Sequence, residues 1–365
     1  MADTPASPLP LIHSAPSPLL QRPGAVAGSG VDAAVAWHYG DPMGEQRRAE
    51  RGAGLVDHSH REVLRITGAD RHDWLNKLTS QLLLPLADGA ATEALILSPQ
   101  GHVEHHFGVT EFDDAVYLDT EPGRGTALLT YLERMKFWSQ VDLSVSGLRH
   151  LGLLGRGAAP LLGDDTPTLG RARAFGDGFV RRTRLGVDVF TTDVAGTATT
   201  LIAAGAVPVG SWADDALRVP TRRPRIGVDT DDRTIPNEVS WLTDAVHLQK
   251  GCYRGQETVA RVANLGRPPR RLVMLNLDGS QDVLPATGDP VLTAEGRTVG
   301  RLGTVAQHHE EGPIALALVK RTIGPDVPLL AGGVDARVDP ADAVPDDAAP
   351  VSRLDRAAFA DLRRN

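Results

Sequence analysis

A chain of 365 residues, 41% of them hydrophobic and 23% charged, is long enough for two or three ordinary domains around a large buried core. A formal net charge of −8 argues against a general nucleic-acid coat and leaves a local basic patch as the only route to such ligands. No run approaches the roughly 18 apolar residues of a membrane span, and one cysteine cannot form an internal disulfide, so a reducing cytoplasm is the expected home.

Aromatics make up only 4% of the chain, so the core must be built from Leu, Val, Ala and Ile. The first thirty residues are rich in Pro, Ser and Ala. They lack a basic stretch followed by an apolar one, and they read as an extended tail, not a secretory signal. A polar helix is expected around Glu45–Arg51. Val63, Leu64 and Ile66 suit a strand, and Asp70 is placed to cap a helix whose apolar residues Trp74, Leu75 and Leu78 recur at helical spacing. Residues 91–122 read as three short strands with turns at Pro99–Gly101 and Asp113–Asp114. A helix and a strand follow over 123–145. This order suits an α+β unit of ferredoxin-like type, and a related alternation over 150–219 predicts a second one. From residue 268 to 340 short strands alternate with glycine turns, which predicts a small β-barrel after the stiff Pro268–Pro269 connector. The expected domains are therefore a tail (1–30), a core (31–267), a barrel (268–340) and a C-terminal tail (341–365) with a helical turn near its end.

The lone cysteine, Cys252, lies in "HLQKGCYRGQETVARV", residues 247–262. Gly251 and Gly255 bracket it and allow a tight turn. "GQETVARV" reads as a helix start, and Lys250 stands two residues upstream of the thiol. Helix-terminal N–H groups and a nearby ammonium both favour a thiolate. On the residues alone, Cys252 is either a reactive, ligand-contacting thiol or an inert buried one.

The segment "KGCYRGQE" resembles the signature of the folate-binding YgfZ family, Lys-Gly-Cys-Tyr-x-Gly-Gln-Glu. All seven specified positions match: Lys250, Gly251, Cys252, Tyr253, Gly255, Gln256 and Glu257. The flanks are similar too, with "TIPNEVSW" before the motif, "RPPRRLV" after it and "MKFWSQVDL" upstream. The resemblance spans roughly residues 33–340. It implies the α+β fold of the glycine cleavage T-protein, with two ferredoxin-like subdomains around a folate hole and a C-terminal small β-barrel. It further implies tetrahydrofolate as cofactor and support of iron–sulfur protein assembly or repair, with iron–sulfur client or carrier proteins as partners. Cys252 and Lys250 are then the reactive pair, with Lys250 tuning the thiol. Glu238, Tyr253, Arg254, Gly251, Gly255, Gln256 and Glu257 are the implied folate-binding or loop-shaping residues.

Two rival readings stay open. If the chain is an enzyme, the superfamily implies a folate-dependent one-carbon (aminomethyl) transfer; otherwise it is a non-catalytic scaffold for iron–sulfur carriers. The T-protein places a catalytic aspartate in a strand of the form Gly-Gly-x-x-Asp-Asp. Here "GHVEHHFGV" puts His105 and His106 in its place, which disfavours aminomethyl transfer. His102 and His106 share one strand face and His105 takes the other, too few convergent ligands for a metal site. One thiolate cannot hold an iron–sulfur cluster alone. Arginines 218, 222, 223 and 225, and 261, 267, 270 and 271, form two clusters. They are ordinary surface arginines or an anion site for the glutamate tail of folate.

Overall fold

The structure, a computed structural model, describes residues 15–281 and 283–343. The chain forms two compact units and enters each more than once. Of the described residues, one unit holds those up to 77, 83–94 and 105–217; the other holds 78–82, 95–104 and those from 218 to 343. No helix among the described residues is long and apolar enough to cross a membrane.

The first unit begins with a ribbon of β1 (Val26–Ala27) and β2 (Ala36–His38), followed by α1 (Pro42–Arg51) and β3 (Gly54–Asp57). Next come β4 (Glu62–Thr67), α2 (Arg71–Leu78), β5 (Ala91–Leu97), β6 (Val103–Phe112), β7 (Ala115–Thr120), α3 (Gly125–Arg134) and β8 (Asp142–Val145). After these lie β9 (Arg149–Leu154), β10 (Ala172–Phe175), β11 (Gly178–Arg182), β12 (Gly186–Thr191), α4 (Val194–Ala203), β13 (Val207–Val209) and α5 (Ser211–Arg218). They make two sheets, ordered β5-β6-β7-β4-β8 and β10-β11-β12-β9-β3-β13.

The expected order of elements over 55–146 is present with one difference. β3 leaves its neighbours and pairs with β9 and β13 in the second sheet. The β6–β7 turn at Asp113–Asp114 is where the sequence places it, with both residues at positive φ (49° and 56°) as a two-residue hairpin turn demands. Asp70 does not cap α2 with its side chain; its Oδ2 instead accepts from the Gln140 N–H at 2.7 Å, tying the helix entrance to the chain just before β8. The stretch expected as a tail is folded from Ser17 onward: Leu19 is buried in the core cluster with Leu55, Leu153 and Leu201. The helical turn expected near the C-terminus lies outside the described residues.

A buried guanidinium joins the two sheets of this unit. Arg181 on β11 donates to Asp119 on β7 at 2.6 Å, to Thr110 on β6 at 3.2 Å and to Asp188 on β12. Arg181 leaves both carboxylates low: burial raises each, but Arg181 more than offsets it at Asp119 and, with His150, takes Asp188 well below its usual value.

The second unit holds α6 (Trp241–Asp244) and α7 (Gln256–Leu265), and the tip of the β5–β6 hairpin meets the start of α7 at Gly101. Val103 donates its N–H to the Thr234 carbonyl at 2.8 Å. The rest is a closed six-stranded barrel, ordered β14-β17-β16-β15-β18-β19, of β14 (Arg270–Leu277), β15 (Pro290–Thr293), β16 (Thr298–His308), β17 (Gly312–Lys320), β18 (Leu329–Ala331) and β19 (Val334–Val338). Its strands alternate as a barrel requires: Val334, Ala336 and Val338 point inward while Asp335 and Arg337 stay exposed.

Candidate functional site

The cysteine loop lies in the second unit, and four contacts fix its backbone. Lys250 is buried, and its Nζ donates to the carbonyls of Thr79 at 2.8 Å and Gln81 at 2.6 Å. His247 donates its N–H to the Ser80 carbonyl at 3.0 Å. Gln256 Nε2 reaches back to the Lys250 carbonyl at 3.3 Å, and Arg254 forms a two-pronged pair with Glu104 at 3.2 and 3.3 Å. The loop is thus stitched to residues 79–81 and to the tip of the β5–β6 hairpin. Within this frame Cys252 is an exposed free thiol.

Gly255 initiates α7 at φ 81°, a left-handed conformation. A Cβ there would stand 2.5 Å from the Ser98 carbonyl oxygen and 2.9 Å from Gly101 Cα, so the two backbones meet only because both residues are glycines. Gly251 was expected to serve the same purpose and does not. Its φ is not in the left-handed region, and a Cβ there would meet no atom within 4 Å.

Tyr253 is buried, with the Lys250 Nζ 5.7 Å from its ring centroid. Burial raises its hydroxyl to about 12 and lowers the Lys250 amine to about 8. The Tyr253 hydroxyl makes no hydrogen bond among the described residues, nor does any side-chain atom of His247. His247 therefore forms no Cys–His pair with the thiol. Glu257 is exposed in the first turn of α7.

Glu238, expected as a pterin contact, is almost fully committed to the protein. It accepts from Arg270 Nε and Nη2, both at 2.9 Å, and from the Ile235 N–H at 3.2 Å. Arg270 also grips Asp231 at 2.6 and 3.0 Å. Burial raises the Asp231 carboxyl, but the bonds from Arg270 and Thr234 outweigh it and bring it to about 2. Glu238 and Arg270 line a pocket of ≈ 370 Å³ with His102, Arg233, Ile235 and Pro269. Four of the eight arginines in the clusters read from the sequence, Arg270 among them, serve as internal braces. Arg218 pairs with Asp229 at 3.0 Å, Arg222 with Asp339 and Asp342 at 3.0 and 3.1 Å, and Arg271 donates to the Ile323 carbonyl at 2.7 Å.

In the first unit, the two histidines standing where a carboxylate pair was sought part company. His105 packs 5.8 Å from the Tyr131 ring and is held neutral, lowered to about 4 by burial and by Arg124. His106 Nε2 lies 2.9 Å from Glu93 Oε2 on the neighbouring strand β5. Glu93 restores a carboxylate beside this strand. No spacing in the sequence points to it, because cross-strand neighbours are set by register.

Comparison with known proteins sets this geometry beside a barrel family and several relatives. Residues 270–346 match the family described as CAF17, C-terminal beta-barrel domain, which covers the closed barrel. The chain is 24% identical to a "Putative transferase At1g60990, chloroplastic" of Arabidopsis thaliana, over 76% of this chain and 70% of that one. It is 29% identical to an "Aminomethyltransferase" of Synechococcus sp. strain CC9902 (75% and 82% covered), and 23% to a "tRNA-modifying protein YgfZ" of Aliivibrio fischeri strain ES114 (72% and 84% covered). The structure superposes on the glycine cleavage system aminomethyltransferase T from Bartonella henselae with a TM-score of 0.76 at 20% identity, covering 88% of this chain and 94% of that one. The chain thus resembles both YgfZ and the aminomethyltransferases of the T-protein superfamily. The fold expected from the motif, α+β and T-protein-like with a C-terminal barrel, is the fold observed. The signature segment is the loop that displays Cys252.

Proposed function

We propose that this YgfZ-like protein binds tetrahydrofolate and supports iron–sulfur proteins in the cytoplasm through the thiol of Cys252. The observation that carries this reading is the contrast at the cysteine loop: an exposed cysteine on a backbone clasped by Lys250, Arg254, Gln256 and the Gly101–Gly255 contact. A rigid frame around one accessible nucleophile is what presentation to a partner requires. One thiolate supplies one of the several ligands a cluster needs, so the client or carrier would supply the rest. Lys250 acts first as the clasp, since its ammonium is spent on two carbonyls. Tyr253, whose buried hydroxyl has no hydrogen-bond partner among the described residues, is the motif residue best placed to gain one on ligand binding.

Calorimetric titration of the reduced protein with tetrahydrofolate, repeated on Cys252→Ala, tests both halves. Saturable one-site binding in both proteins is expected, with Cys252→Ala failing to restore iron–sulfur enzyme activity in cells that lack the protein. No binding heat, together with no competition by folate analogues, would remove folate from the reading. Full restoration by Cys252→Ala would remove the thiol.

A second reading, folate-dependent aminomethyl transfer, is supported by the relatives' names and by Glu93, which brings a carboxylate to His106. Tetrahydrofolate-dependent release of ammonia from an aminomethyl-lipoyl carrier, abolished by Glu93→Gln, would favour it. A tRNA-linked role is supported by the name of the Aliivibrio relatives.

A further inference from the structure

The first unit has an open sheet edge. β8 (Asp142–Val145) is the last strand of its sheet and is bonded to β4 alone. The Ser146 N–H donates to the Val63 carbonyl at 2.8 Å, which marks 63 and 146 as a hydrogen-bonded pair. Antiparallel pairs alternate. Asp142 and Ser144 therefore also turn their backbone groups to β4, opposite Thr67 and Arg65, while Leu143 and Val145 turn theirs outward. Among the described residues, no turn or side-chain bond takes up those two N–H and two C=O groups. Apart from its shortness, the strand lacks the usual guards of an edge: it has no proline, no lysine and no bulge. Val145, on the face that β4 buries, is 40% exposed.

The turn that leads from α3 into β8 adds a large apolar surface. Trp138 is 95% exposed and Phe137 73%, with their ring centroids 6.3 Å apart. This turn is braced on both sides. Before the pair, the Trp74 indole N–H donates to the Met135 carbonyl at 2.9 Å. After it, Gln140 exchanges two backbone-anchored hydrogen bonds with Asp70, and its carbonyl leaves no room for a Cβ on Gly68. Phe137 itself holds φ 42°, a left-handed conformation that is costly for an aromatic residue. Two aromatic side chains held out in water by a braced and strained turn point to an interface.

We propose that a second copy of this chain covers this edge, β8 pairing antiparallel with the partner's β8 about a two-fold axis at Ser144. The register that satisfies every outward group of both strands pairs Leu143 with the partner's Val145 and gives four hydrogen bonds. It is self-complementary. Leu143 and Val145 lie opposite Ile66 and Leu64, both fully buried, so the pairing carries one apolar row from sheet to sheet. On the other face Ser144 meets the partner's Ser144. Asp142 lies opposite the partner's Ser146, so no like charges face each other. A four-residue edge alone is too small for a stable dimer. Phe137 and Trp138, at about 150–250 Å² each when buried, bring the two copies towards the roughly 1,200 Å² at which stable interfaces begin. The two-fold axis sets the aromatic turn at the entrance of each β8 beside the exit of the other. There Gly147 carries no side chain, and a Cβ added to it would meet nothing within 4 Å. The inference goes beyond the folate reading, since this edge lies in the first unit and Cys252 in the second.

Sedimentation velocity of the full-length protein from about 1 to about 200 μM, the range suited to a small interface, tests the proposal. A reversible monomer–dimer equilibrium is expected. Trp138→Ser should weaken the dimer at least about tenfold. Ser144→Lys and Ser144→Glu should each abolish it by setting like charges across the axis, and an equimolar mixture of the two should restore it as a heterodimer. Ser144→Cys in a Cys252→Ala background should form an intermolecular disulfide on oxidation, because residues in a non-hydrogen-bonded pair stand about 4.5 Å apart at Cα. Leu265→Ser, at an exposed leucine of α7, controls for the loss of an apolar surface side chain and should leave the dimer intact. A protein that stays monomeric across the whole range overturns the proposal, whatever other protein the aromatic turn then captures. A dimer indifferent to Trp138→Ser overturns it too, as does failure of the two charge variants to recover one another.

Discussion

At the residue scale, the motif's two glycines are not equivalent. The sequence presents Gly251 and Gly255 as a matched pair around Cys252, yet only Gly255 needs to be glycine, because its φ is 81° and the hairpin tip stands against it. Gly255→Ala should cost about 1–3 kcal/mol in chemical denaturation, whereas Gly251→Ala should shift stability by no more than about 0.5 kcal/mol. Equal effects would mean that the loop geometry is not as described. Lys250 gives a second test. Burial lowers its amine from 10.5 to about 8, so between these pH values the unfolded chain keeps a proton that the folded chain has released. Wild-type stability should therefore rise with pH across that window relative to Lys250→Met, as thermal melts from pH 7.5 to 10.5 would show. The motif residues themselves were legible in the sequence, because a local signature survives in one dimension. The partners of those residues were not. Thr79, Gln81, Gly101 and Glu104 reach the loop through tertiary folding, and nothing in their own spacing marks them.

At the scale of elements, hydrophobic periodicity and turn chemistry were enough to find α1, α2, the β6–β7 hairpin and the barrel strands. They could not assign β3 to the second sheet, since a four-residue strand buried on both faces carries no alternation to read. Nor could they find the charge network that joins the sheets. Arg181, Asp119 and Asp188 look in sequence like surface residues, and all three lie in the interior. Arg181→Met would strand two buried carboxylates and should cost about 3–5 kcal/mol. Arg181→Lys should recover only part of this, because an ammonium cannot span both carboxylates with a planar fork. Nearby, His58 is buried against Asp214 at 2.7 Å, beside Arg61 and with the His150 ring 4.9 Å away. Burial and Arg61 lower it to about 4 despite the pull of Asp214. The unfolded chain then binds this proton first as pH falls from 6.5 towards 4, and stability falls with it. His58→Asn should flatten that part of the pH–stability curve, measured by urea unfolding between pH 7 and 4.5.

At the scale of the whole molecule, the two compact units are not two consecutive lengths of chain. Residues 78–82 and 95–104 belong with the unit that contains residues 218–343, although they are flanked in sequence by residues of the other. The barrel has a core of its own, including Val273, Leu275, Val291, Leu302 and Val319, and its hydrogen bonding closes on itself. The cysteine loop has neither advantage. Its anchors are the carbonyls of Thr79, Ser80 and Gln81, the glycine contact at 101 and the carboxylate of Glu104, all supplied by the inserted segments. A fragment spanning 218–343 should therefore fold its barrel and leave the loop loose. In hydrogen exchange, amides of β14, β16 and β17 should stay protected in this fragment, while those of 247–256 exchange at rates near those of an unfolded chain. In the full chain the same loop amides should be slowed. Protection of 247–256 in the fragment would show that the loop holds its shape without residues 78–104, and the clasp would then be incidental to how Cys252 is presented.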